Sequence, residues 1–210
     1  MAALLSNMRN SFIAGFVLAL VLFAVFLIVG GYSLTDFLSG SLFWAFIFRW
    51  LHVIFGILWI GLLYYFNFVQ IPTMPKIPDD QKPAVSKFIA PEALWYFRWS
   101  AMGTIATGLI LAALNGYILD AITLGATQGF SVPGTTLIGI GMWLGTIMWF
   151  NVWFVIWPNQ QKALNIDNKF PDLTKDQKAA AGRTAMLFSR TNFMLSVPML
   201  FAMVGAQNLA

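Results

Sequence analysis

Five apolar runs, at about 12–32, 42–69, 95–119, 135–157 and 184–206, decide what this chain can fold into. Each exceeds the ~20 residues an α-helix needs to cross ~30 Å of hydrocarbon. Lipid offers no partner to free backbone N–H and C=O groups, so such spans are helices. The predicted fold class is therefore all-α, a polytopic transmembrane bundle of about five helices, with residues 1–210 as one integral membrane domain. Composition agrees. Only 10% of the 210 residues are charged, against about 25% in soluble domains, too few to clothe a water-facing surface.

The first run follows Arg9 and is longer than a signal-peptide h-region of roughly 7–15 residues. Gly31, Tyr32 and Ser33 behind it offer no A-x-A-like cleavage site, so it is expected to be a retained helix. Orientation comes from the connectors. Arg9 lies in the N-terminal tail; Lys76, Lys82 and Lys87 lie in the second loop; Lys162, Lys169, Lys175, Lys178 and Arg183 lie in the fourth. The loops around Asp36 and Asp120 and the C-terminal tail hold no Lys or Arg. The positive-inside rule then puts the N-terminus in the cytosol and the C-terminus outside. Trp44 and Trp50 toward one face, and Trp95, Trp99 and Trp157 toward the other, suit interfacial belts. The net charge of +4 thus reports topology and points to no nucleic-acid partner. Cysteine is absent, which excludes disulfides, thiolate nucleophiles, iron–sulfur ligation and covalently attached c-type haem.

The second and fourth spans resemble each other. Trp59, Gly61, Phe66 and Asn67 recur at constant offset as Trp143, Gly145, Phe150 and Asn151, and each run ends in a proline, Pro72 and Pro158. Duplication of a helix pair would give a four-helix core of two parallel repeats with the first helix appended; chance similarity among residues common in membrane helices is the alternative. Arg98 and Arg190 sit a few residues into the partner spans, at the cytoplasmic-side depth of Asn67 and Asn151. These four suggest a polar pocket opening to the cytosol, or else arginines snorkelling to phosphate and asparagines tying helices together. Gly141 with Gly145, and Ser100 with Thr104 and Gly108, make small-residue faces for close helix approach. Pro198 should kink the last span, with Ser196 or Asn192 taking up freed backbone groups.

His52, the one histidine, lies roughly 15 Å along the axis from Leu42, in the outer half of the membrane. Arg49 and Gly56 share its helical face. That face suits a b-type haem: imidazole ligates iron, a glycine one turn away makes room for the macrocycle, and an arginine pairs with a propionate. A single histidine supplies one axial ligand, leaving the second open. A protein metal site is not expected, because the spans offer no second histidine and no carboxylate. A histidine that merely hydrogen-bonds across helices is the plainer alternative.

Several segments resemble the membrane domain of bacterial membrane-bound urate hydroxylases, the urate oxidase N-terminal family. They are Arg49-Trp50-Leu51-His52-Val53 through Trp59-Ile60-Gly61, Leu144-Gly145-Thr146-Ile147-Met148 through Asn151-Val152, Phe154 through Lys162 with Pro158-Asn159-Gln160, and Asn192 with Leu195-Ser196-Val197-Pro198 through Met203. The resemblance spans about residues 43–207 and implies a bacterial inner membrane location with a periplasmic C-terminus. It also implies oxidation of urate coupled to a C-terminal cytochrome c domain, which is not expected here because the sequence stops at Ala210. Positions where the family pattern implies further histidines correspond to Gly139, Thr191 and Gln207. Only His52 matches, so the fold should carry over further than the activity.

Two readings follow. One is a membrane redox protein that binds haem b through His52, Arg49 and Gly56 and exchanges electrons with a quinone or a cytochrome c. The other is a non-catalytic subunit of a larger respiratory or oxygenase complex, partnered by lipid and other membrane subunits. A small-molecule carrier using Arg98 and Arg190 ranks third, because five spans are few and no broken helix pair is evident.

Overall fold

The computed structural model describes Ala2–Leu209. Five helices are long and apolar enough to cross a membrane: α1, Met8–Gly30; α2, Ser41–Lys76; α3, Lys82–Leu114; α4, Pro133–Leu164; and α5, Lys175–Asn208. No strand occurs among the described residues. The chain is an all-α membrane protein, as its apolar runs require.

It divides into two compact units, one up to Phe46 and one from Ile47 onward. In the first, the Asn7 side chain accepts the Arg9 N–H and caps α1, and Gly31, at φ 66°, closes the helix. α1 thus starts earlier than its apolar run, because the cap and not hydropathy sets the first turn. A short helix, Leu34–Ser39, follows. Phe23, Phe26, Tyr32, Phe37 and Phe43 interlock ring on ring around it.

The second unit holds most of α2 and all of α3, α4 and α5. Its core draws on every one of them: Trp59, Leu63 and Phe66; Leu94, Phe97 and Ala101; Met148, Val152 and Ile156; and Ala185 with Met199. Polar side chains lock the half toward the lysine-bearing connectors. Asn67 donates to Ser189 Oγ at 2.9 Å, Tyr64 and Ser196 hydroxyls meet at 3.2 Å, and Asn151 donates to Asn192 Oδ1 at 2.8 Å. Asn192 in turn donates to the Met148 carbonyl at 2.8 Å. α5 is therefore tied to both α2 and α4.

The spans overrun their apolar runs, and proline explains where. Stretches of π-helix occupy Phe66–Gln70, Val85–Ile89 and Asn151–Ile156. Each ends two residues before a proline: Pro72, Pro91 and Pro158. Proline brings no N–H and crowds the carbonyl four residues back; widening the preceding turn to i→i+5 bonding relieves both, so the helix continues. Pro198 has no such turn before it. Ser196 donates to the Phe193 carbonyl and Asn192 to Met148, so neither takes up the Met194 carbonyl that Pro198 leaves open. α3 ends at Leu114, short of the expected 119, because Gly116 turns the chain at φ 75°.

The internal similarity has a structural counterpart: α2 and α4 both widen at their matching asparagine and both continue through a proline. The paired tryptophans differ. Trp59 is 1% exposed within the core, whereas Trp143 is half-exposed and donates to the Ile122 carbonyl.

Candidate functional site

The half of the second unit toward the Asp120 connector is not filled. α2, α3, α4 and α5 surround a cavity of about 650 Å³ there, and His52 lines it. That size lies within the ~300–1,000 Å³ of typical ligand and cofactor sites. Walls such as Val53, Ile57, Ile60, Leu109, Ile138 and Leu200 make the interior apolar. Arg49, Tyr117, Gln207 and Asn208 bring the polar groups. Arg49, Gln207 and Asn208 are exposed, so they form its rim.

The imidazole is held from behind. His52 Nδ1 lies 2.9 Å from the Thr104 carbonyl, and a carbonyl only accepts, so the bond requires the proton on Nδ1. Nε2 then carries the lone pair and has no hydrogen-bond partner among the described residues. The Thr104 carbonyl is shared, since the Thr107 hydroxyl also donates to it at 3.2 Å and lies 3.5 Å from Nδ1, while the Thr104 hydroxyl donates back to the Ser100 carbonyl at 2.8 Å. Gly108 completes the fit: a Cβ there would lie 2.9 Å from His52 Cε1 and 3.0 Å from Nδ1. The small-residue face Ser100, Thr104, Gly108 thus seats the histidine ring.

Other glycines keep the cavity open. A Cβ added at Gly56, Gly61 or Gly145 would meet nothing within 4 Å, and all three residues line the space. Gly141 differs, lying against Ala202 and Met203 of α5. At the rim, Arg49 donates to Gln207 Oε1 at 3.4 Å, a long bond, and has no carboxylate in ion-pair range among the described residues. Burial holds the Tyr117 phenol above its usual range, and the Arg49 charge pulls it partly back.

His52, Arg49 and Gly56, grouped by spacing in the sequence, do line one cavity. Asn67, Arg98, Asn151 and Arg190 do not join it. Asn67 and Asn151 are spent on helix–helix bonds. The Arg98 guanidinium lies over the Trp157 ring at 3.8 Å and the Trp153 ring at 5.1 Å, and Arg190 is exposed. The spacing of α2 does not reveal Thr104 and Gly108 as the partners of His52, because nothing in it says which residues of α3 come to meet the ring.

The C-terminal half of the chain has a recognisable counterpart. Residues 106–208 match the urate oxidase N-terminal family. The match bears out the family resemblance and covers α4, α5 and the end of α3, while His52 and Arg49 lie ahead of it. Neither a curated protein nor a solved structure matches the chain. Of the three positions where the urate oxidase N-terminal pattern implies histidine, Gln207 lines the cavity and Thr191 bonds back to the Leu187 carbonyl. Gly139 has no room for a side chain, since its Cβ would fall 2.2 Å from the Ala121 carbonyl oxygen.

Proposed function

We propose that this chain is a membrane redox protein, related to the urate hydroxylase membrane domains, that binds haem b with His52 as axial ligand. What carries the reading is the Nδ1–Thr104 carbonyl bond at 2.9 Å. Metal-binding histidines almost always anchor their other nitrogen in this way, which fixes tautomer and ring orientation. The remaining features fit the same group. An apolar cavity with three side-chain-free glycine faces accepts a flat macrocycle, and an exposed arginine with no carboxylate in ion-pair range among the described residues suits a propionate. When bound, the group supplies one-electron chemistry, Fe(III) to Fe(II), between partners of the quinone or c-type cytochrome class. The chain's own residues hold the imidazole, line the space with apolar walls and present an exposed polar rim at Arg49, Gln207 and Asn208. The location fitting this reading is a bacterial inner membrane, with the rim at the periplasmic face.

The test is a visible spectrum of the detergent-purified protein. A Soret band in wild type that disappears in His52→Ala, with helicity unchanged, is the expected result. A folded wild-type protein with no haem absorbance, even after incubation with hemin, ends the haem reading. The accessory-subunit reading then stands, and mild-detergent isolation should recover stoichiometric membrane partners.

A further inference from the structure

We infer that Met203 is the second axial ligand of that haem, opposite His52; the inference rests on the haem reading. α2 and α5 are antiparallel, and two hydrogen bonds far apart agree on one register, Arg49 with Gln207 at the rim and Asn67 with Ser189 at the other end, while the longer Tyr64 side chain reaches one turn along α5 to Ser196. That register sets His52 level with Val204, one residue, or ~1.5 Å of helix rise, from Met203. Val204 is 62% exposed, whereas Met203 is partly buried and lines the cavity with His52.

The same conclusion follows from the bridge between the helices. His52 lies three residues inward from Arg49, and Met203 lies four residues inward from Gln207, so each is one turn below an end of that bridge and on the same face as it. The two helices are bridged by the short Asn67 side chain and by the longer Tyr64; toward the rim the cavity stands where such contacts stop. Gly141 gives the methionine its seat, since a Cβ there would crowd Met203 Cε at 3.2 Å and Cγ at 3.3 Å. A thioether on an unbranched chain of three rotatable bonds can swing from that seat to a metal. A His and Met pair completes six-coordination in a chain whose one histidine cannot. Two other methionines line the cavity. Met199 is a full turn deeper and belongs to the core, and Met142 lies on α4 and not on α5, the helix whose register with α2 is argued above; it serves as the control.

The experiment compares spectra of purified, haem-loaded wild type, Met203→Leu, Met203→His and Met142→Leu. Wild type should be low-spin with the near-infrared charge-transfer band of ferric iron bound to thioether sulfur. Met203→Leu, which conserves volume, should keep its Soret band but become high-spin and lose the near-infrared band. Met203→His should return to low spin without that band and with a lower reduction potential, since methionine ligation raises it. Met142→Leu should match wild type. Should Met203→Leu fail to hold haem, Met203→His decides: a low-spin spectrum supports the assignment and a high-spin or haem-free protein refutes it. A wild type that is high-spin, a Met203→Leu that stays low-spin, or a loss of the band in Met142→Leu alone overturns the Met203 assignment and leaves His52 ligation standing. Absence of haem from wild type overturns the underlying reading instead.

Discussion

His52 is positioned by groups that have little freedom to move. The Thr104 carbonyl is part of a helix backbone, and Gly108 presses on the ring edge. This makes two glycines of the same cavity behave oppositely. Gly108→Ala puts a methyl group 2.9 Å from His52 Cε1, inside any real carbon–carbon contact, so the imidazole must turn away from the carbonyl. Hemin titration of this variant should show at least tenfold weaker binding, the usual scale when an anchoring partner of a metal ligand is disturbed. Gly56→Ala meets no atom within 4 Å and gains up to about 1 kcal/mol of helix propensity. Its unfolding midpoint should hold or rise, while the added methyl narrows the cavity. Equal hemin affinity in Gly108→Ala and wild type would show that the ring is not seated as described. The Arg49, His52, Gly56 face was legible in the sequence because it depends only on helical spacing within α2. The residues that complete it lie on other helices, and no local pattern encodes which of them meet the ring.

At the scale of the helices, hydropathy reported where the chain enters and leaves lipid, and proline with capping decided where each helix stops. The three π turns show why apolar runs understate helix length: a proline two residues on would normally end a helix, yet a widened turn absorbs it. The sequence similarity between α2 and α4 marked two of the three places where this happens, though it did not reveal the π geometry. The four intramembrane polar residues also separate at this scale. Asn151 and Asn192 form a buried chain ending on the Met148 carbonyl, and Asn192 is 0% exposed. Asn192→Ala leaves the Asn151 amide without its partner. The expected loss is about 1–2 kcal/mol, between the ~0.6 kcal/mol mean of membrane hydrogen bonds and the cost of an orphaned buried donor. Arg190→Gln, on an exposed residue, should stay within about 0.5 kcal/mol of wild type. Unfolding titrations in mixed detergent micelles read both. A destabilising Arg190→Gln beside a neutral Asn192→Ala would mean that this half of the bundle is held by a charge and not by the asparagine chain.

For the whole molecule, function depends on which face of the bilayer the cavity rim meets. Lys162, Lys169, Lys175, Lys178 and Arg183 flank the turn between α4 and α5, and Lys76, Lys82 and Lys87 flank that between α2 and α3. The proposed orientation keeps these cations in the cytosol. The opposite connectors, including the one with Asp120, hold no cation, and Arg49 and Gln207 lie toward that side. A rim outside the cell can meet a c-type cytochrome of the periplasm; a rim inside cannot. Because the chain has no cysteine, one introduced thiol is its only reactive sulfur. Ala126 and Asp172 are both exposed and lie in opposite connectors. In intact cells a membrane-impermeant maleimide should label Ala126→Cys and spare Asp172→Cys until the membrane is permeabilised. The reverse pattern would place the rim in the cytosol and leave a quinone of the bilayer, not a periplasmic cytochrome, as the electron partner within reach.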